Sequence, residues 1–153
     1  MNFEEAMALA ITVAKEAATA SGDVPVGAVV LNGNGEVVAT GCNERELMHD
    51  PTAHAEIVAM RKASEDLGSW RLEDHTLVVT LEPCAMCAGA IVQSRIPRVV
   101  FGAWDEKAGA VGSVWDILRD PRTLNKPEVI TGVLAAECAQ LLQSFFQSQR
   151  KGI

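Results

Sequence analysis

Apolar residues recur at helical spacing from the beginning of the chain, with Phe3, Met7, Ala10, Ala14 and Ala17 three or four positions apart. The spacing predicts an amphipathic helix over about residues 3–19, ending near Ser21 and Gly22, and its alanines predict close packing. Two β-branched runs follow, at 24–31 and 36–40, separated by Asn32-Gly33-Asn34-Gly35. Asparagine and glycine tolerate the positive φ of tight turns, so this segment is expected to be a β-hairpin. Asp50-Pro51-Thr52 then supplies capping side chains and a first-turn proline for a helix over 53–67, with Ile57, Met60 and Leu67 on its apolar face and Gly68 as its stop.

The valine-rich run 76–81 has no polar alternation, as expected of a strand covered on both faces. Pro83 opens a helix over 84–94, and 98–102 is a second buried strand, giving a strand–helix–strand unit that is normally parallel and right-handed. Residues 103–113, with Gly109 and Gly112, are expected to be a loop, followed by a short helical piece over 114–118. A polar loop with Pro121, Asn125 and Pro127 leads to a short strand near Val129 and Ile130, and Leu134, Cys138, Leu141, Leu142 and Phe145 mark a final helix. The pattern predicts an α/β fold, a three-layer α/β/α sandwich around a mixed sheet of about five strands. With no internal repeat and no linker, residues 1–153 are expected to form a single domain.

The chain has 153 residues, 48% of them hydrophobic, which suits one core. Thirteen Lys and Arg face 20 acidic residues, and the net charge of -7 disfavours general adhesion to nucleic acid or anionic membrane. Any surface for RNA must therefore be local, with Arg45, Lys107, Arg119, Arg122, Lys126 and Arg150 as candidates. Ala18-Thr19-Ala20 looks like a cleavage site, but Glu4, Glu5 and the Lys15-Glu16 pair argue against an export signal. No uncharged run approaches the ~18 apolar residues of a membrane span. A soluble, cytoplasmic protein is expected, in which Cys42, Cys84, Cys87 and Cys138 are thiols, redox groups or metal ligands before they are disulfides.

The residues that carry chemistry are His54-Ala55-Glu56 and Pro83-Cys84-Ala85-Met86-Cys87. One imidazole and two thiolates suit tetrahedral zinc and leave a fourth position for water, the arrangement of a catalytic site. Residues three apart share a helix face, so Cys84 and Cys87 can meet one ion, and a helix start favours their ionised form. Glu56, two positions from His54, points elsewhere and is better placed to carry protons than to bind metal. Two other readings remain open on these residues. The Cys-x-x-Cys could be a redox dithiol, or the zinc could be structural with a fourth ligand from Cys42, Cys138, His49 or His75, none at ligand-like spacing.

His-Ala-Glu with Pro-Cys-x-x-Cys resembles the signature of the zinc nucleobase deaminases. The wider set Val24-Pro25-Val26-Gly27-Ala28, Asn43, the run from His49 to Glu56, Thr80-Leu81-Glu82-Pro83-Cys84, Cys87-Ala88-Gly89-Ala90 and Val99-Val100-Phe101-Gly102-Ala103 is similar to the bacterial tRNA adenosine deaminases, over nearly the whole chain. The resemblance implies a cytidine deaminase-like fold, a homodimer, one Zn2+ per subunit, and conversion of adenosine to inosine at the wobble position of a tRNA anticodon. It assigns zinc to His54, Cys84 and Cys87, proton transfer to Glu56, base binding to Asn43, and RNA contact to Asp105, Lys107 and Asn125. An anticodon loop suits such a site because its bases are already partly unstacked. Cys42, where relatives commonly have tryptophan, and Trp104 beside Asp105 depart from the family pattern, and together with the acidity they keep open a free base such as guanine or cytosine as substrate.

Overall fold

The computed structural model describes residues 1–151. Helix α1, Phe3–Ser21, is held at both ends by local chemistry. Asn2 Oδ1 accepts the Glu5 N–H at 2.8 Å while the Glu5 carboxylate accepts the Asn2 N–H at 3.2 Å, and Gly22 ends the helix in the left-handed region at φ 69°. Strands β1 (Gly27–Leu31) and β2 (Val37–Cys42) form the hairpin, whose turn is closed by Asn32 Oδ1 accepting the N–H groups of Asn34 and Glu36. A register shift between Val30 and Leu31 leaves Val38 of β2 as the extra, unpaired residue.

The one-turn helix α2 (Arg45–Met48) and helix α3 (Ala55–Leu67) follow, then β3 (Thr76–Leu81), α4 (Ala85–Ser94), β4 (Arg98–Ala103), β5 (Glu128–Ile130) and α5 (Ala135–Lys151). The five strands lie in the order β2-β1-β3-β4-β5, with β1 antiparallel to both neighbours and β3, β4 and β5 parallel. The side-chain period of two sends Val29, Val78 and Val100 to one face, where they meet Met7 and Ala10 of α1 and Cys138 of α5. Val30, Leu77, Val79 and Phe101 face the other way and pack against Ala59 of α3 and Ile91 of α4. Both faces are thus covered, which is why β1, β3 and β4 read as unbroken apolar runs.

Two glycines set how closely the layers approach. A Cβ on Gly27 would overlap the Ala10 carbonyl of α1, and one on Gly41 would stand 2.7 Å from the Ala55 carbonyl and the Ala59 nitrogen of α3. Helix α3, which carries the His-Ala-Glu triplet, therefore lies directly on the backbone of β2.

Three expectations are corrected. Residues 114–118 form no helix; their carbonyls and amides close turns, with Gly112 N–H donating to Trp115 O and a bridge between Val111 and Asp116. So short a segment cannot repay helix nucleation, whereas the fully buried Leu118 anchors it in the core as a loop. The hairpin's first strand begins at Gly27 instead of residue 24, because Pro25 has no N–H to donate and the Val26 N–H turns back to the Val24 carbonyl at 2.9 Å. Helix α4 begins at Ala85, leaving Cys84 as its cap. Among the described residues no helix is long and apolar enough to cross a membrane.

Candidate active site

Strands β3 and β4 are parallel, so their C-terminal ends open on the same edge of the sheet, and the residues that follow them meet the start of α3 there. His54 is the N-cap of α3, at φ -73° and ψ 155°, and Cys84 is the N-cap of α4, at φ -76° and ψ 176°. Neither side chain makes a capping hydrogen bond. Both instead turn toward one point, with Cys87 joining from the first turn of α4. His54 Nδ1 lies 3.6 Å from Cys84 Sγ and 3.6 Å from Cys87 Sγ, and the three donor atoms all lie within 4.8 Å of one another.

These separations test whether zinc fits. A tetrahedral ion with bonds of about 2.3 Å to sulfur and about 2.1 Å to nitrogen holds sulfur and nitrogen about 3.6 Å apart. The donor set has both the chemistry and the spacing that zinc requires. Among the described residues no further His, Cys, Asp or Glu joins the group, so Cys42, Cys138, His49 and His75 do not complete a structural site. All four cysteines are free thiols.

Charge in the site is unevenly placed. Cys84 is held down to about 3, chiefly because Cys87 hydrogen-bonds its sulfur, while burial opposes this and His54 adds to it. Cys87 is pushed up because its proton is the one shared with Cys84 and because it is buried. The two sulfurs thus pull in opposite directions, and a cation between them would favour the ionised form of both. His54 is raised by its hydrogen bond to Cys84. Glu56, in the first turn of α3, is buried, and burial lifts its carboxyl to about 7. A group poised there can both take and give a proton at neutral pH.

Beside the donors is a cavity of about 160 Å³, lined by Asn43, Arg45, His54, Glu56, Cys84 and Asp105 among others. Asn43 is 7% exposed. Its Oδ1 accepts the Ala55 N–H, the first amide of α3, at 3.0 Å, and its Nδ2 donates to the Val24 carbonyl at 2.9 Å. The second hydrogen on Nδ2 remains available at the cavity.

A model of the cytidine and deoxycytidylate deaminase zinc-binding region matches residues 1–103. The chain belongs to this deaminase family. The tRNA-specific adenosine deaminase of Haemophilus influenzae is 47% identical over 149 residues, covering 97% of this chain and 86% of that protein. A solved structure described for A-to-I editing by tRNA A34 deaminases matches at 42% identity and TM-score 0.86, covering 90% of this chain and 99% of that one. The guanine deaminase of Nitrosomonas europaea matches at 29% identity and TM-score 0.74, covering 93% and 83%. The sheet order and layers of the present chain are those of the cytidine deaminase-like fold.

The deaminase's second layer of order centres on Glu82, which the sequence reading did not single out. Glu82 is 1% exposed, yet it is fully engaged. Its Oε1 accepts the Asp105 N–H at 2.9 Å and the Ser113 hydroxyl at 2.5 Å, and its Oε2 accepts the N–H groups of Val111 at 3.0 Å and Ser113 at 3.1 Å. Gly109 packs against the carboxylate so closely that a Cβ would overlap it. One side chain thus fastens the loop after β4 to the segment carrying Cys84, and with it Asp105 to the cavity wall. The clue in the sequence was a lone acid ending an apolar strand just before Pro83.

The remaining expected residues divide. Asp105 lines the cavity, and its Oδ1 also accepts the Lys107 and Ala108 N–H groups at 3.1 and 3.2 Å, so it shapes its own turn. Lys107 is exposed and Asn125 half-buried, with Asn125 Nδ2 buried and without a hydrogen-bond partner; neither lines the cavity.

Proposed function

We propose that this enzyme is a tRNA adenosine deaminase that replaces the exocyclic amine of adenosine-34 by oxygen, using water, releasing ammonia and leaving inosine in the RNA chain. The observation that carries this reading is a zinc-type donor triad with a buried, proton-carrying Glu56 at one small cavity, in a chain 47% identical to a tRNA-specific adenosine deaminase. At about 160 Å³ the cavity is smaller than the ~300–1,000 Å³ of drug-sized ligand sites, so it admits a single ring system and leaves sugar and phosphate outside.

His54, Cys84 and Cys87 would hold the metal. When bound, zinc supplies the positive charge that makes water a nucleophile at neutral pH. Glu56 takes one proton from the attacking water and passes it to a ring nitrogen of the base, then takes the second proton of that same water and passes it to the amine, which departs as ammonia, a cycle favoured by a carboxyl lifted to about 7. Asn43, fixed through both ends of its amide, presents its remaining Nδ2 hydrogen to an acceptor on the inserted base. Asp105 at the cavity, and Lys107 and Asn125 outside it, contact the RNA.

The working unit is a homodimer in the cytoplasm, each chain a single catalytic domain. A second reading, deamination of a free base such as guanine, is favoured by the net charge of -7 and by the likeness to the Nitrosomonas enzyme. Incubating the purified protein with an adenosine-34 anticodon stem-loop, and separately with free guanine and cytosine, decides between them. Inosine detected by mass in the stem-loop supports the proposal; deamination of free bases alone selects the second reading.

A further inference from the structure

Asp23 and Arg45 form an ion pair at the mouth of the cavity whose construction exceeds what fold stability requires. Asp23 is 1% exposed. Its Oδ1 accepts the Val24 N–H at 2.8 Å, and its Oδ2 accepts the N–H groups of Arg45 at 2.9 Å and Glu46 at 3.3 Å. Three backbone donors already satisfy the carboxylate. It nonetheless also accepts the Arg45 side chain on one edge, Nη2 at 2.6 Å and Nε at 3.2 Å, both on Oδ1. The Arg45 side chain is 39% exposed and lines the cavity with Asn43, His54 and Glu56, and its Nη1 makes no hydrogen bond among the described residues. The guanidinium is therefore held rigidly by one edge and offers its other edge outward.

Among the described residues Arg45 is the sole lysine or arginine on this cavity, whose other ionisable walls are the acids Glu56, Glu82 and Asp105 and the metal-donor residues His54 and Cys84. A free purine carries no anion to meet such a cation. A nucleotide within an RNA chain does, and a cavity with room for the base alone leaves its phosphodiester at the rim, where a planar fork matches phosphate oxygens.

We propose that Arg45, preset by Asp23, grips a backbone phosphate flanking the edited nucleotide and so selects a base within an RNA chain over a free base. This rests on the tRNA reading above and deepens it: Arg45 is a positioning residue outside the proton-transfer steps. In a protein of net charge -7 it supplies locally the attraction that the surface as a whole withholds.

The test compares wild type, Arg45→Gln and Arg45→Lys, all zinc-loaded, on the adenosine-34 stem-loop at several salt concentrations, with thermal melting and zinc content measured for each. Arg45→Gln is expected to raise KM about ten- to a hundredfold, the worth of one charged hydrogen-bond pair, with kcat within about twofold of wild type. The slope of log kcat/KM against log salt becomes shallower by about 0.7, one phosphate contact on a single strand. Arg45→Lys recovers part of both, since it keeps the charge and loses the fork. Unchanged KM and salt slope in a folded, zinc-replete Arg45→Gln protein overturn the inference alone, as does a loss confined to kcat. A wild type that leaves the stem-loop unedited but deaminates guanine overturns the tRNA reading and this inference together.

Discussion

His54 and Cys84 occupy the same position on two different helices. Each is an N-cap with extended backbone, each forgoes the capping bond that a side chain there normally makes, and their donor atoms meet at 3.6 Å. One of the free amides at the start of α3, that of Ala55, is taken by the side-chain carbonyl of Asn43. Two helix starts thus face one point, so their positive ends lie beside the sulfurs and favour the ionised form that binds metal.

Removing one sulfur should therefore undo more than a contact. In Cys87→Ala the cluster loses its one buried member and keeps only two donors. Zinc affinity should fall by more than the roughly 10- to 100-fold that loss of a ligand's hydrogen-bond partner costs. The melting temperature should drop as well, because metal binding is coupled to folding. Metal analysis by mass spectrometry after dialysis checks this; full zinc occupancy in the variant would contradict the ligand assignment.

Glu56→Ala should separate proton transfer from metal binding. The carboxylate is absent from the donor group, so zinc content should match wild type. Turnover of the stem-loop should fall about 10²- to 10⁴-fold, the usual contribution of a general acid–base group. Metal loss from this variant would instead place Glu56 among the ligands.

Glu82 gives a pH-dependent prediction. Burial pushes its carboxyl up, but hydrogen bonds from the Ser113 hydroxyl and the amides of Asp105, Val111 and Ser113 outweigh it, leaving the folded value below the ordinary 4.5. The folded state therefore prefers the ionised form, and the resulting stability is complete above 4.5 and is lost as pH falls through the lower folded value. Glu82→Gln, which turns an NH2 toward backbone donors, should cost about 3 kcal/mol at neutral pH. Denaturant titrations of both proteins should show that difference shrinking steadily in acid; a constant difference would remove Glu82 from this role.

What was legible in the sequence and what was not follows from range. Helix α1, the hairpin, strands β3 and β4 and the pair of metal motifs depend on neighbours a few positions apart, and all are found close to where the pattern puts them. Arg45 and Asp23 are 22 positions apart and Glu82 and Ser113 are 31 apart; nothing local ties either pair, and only folding brings them together. The one-turn α2 was missed for the same reason, since its first two amides are satisfied by the distant Asp23. Residues 114–118 failed in the opposite way, because burial of Leu118 overrode a weak local preference.

The glycine contacts provide the last test, because they connect layer packing to the site. Gly41→Ala places a methyl 2.7 Å from two backbone atoms of α3, neither of which can move without the helix, and 3.1 Å from Val58 Cβ. Helix α3 must shift outward, carrying His54 and Glu56 with it. Overpacking of this kind costs about 1–3 kcal/mol. Gly27→Ala should cost at least as much, since its methyl overlaps the Ala10 carbonyl, but it displaces α1, which bears none of the donors. Thermal melting should therefore rank both variants well below wild type, whereas zinc affinity should fall more in Gly41→Ala. Equal loss of zinc in the two would mean that metal binding follows global stability instead of the seating of α3 on β2.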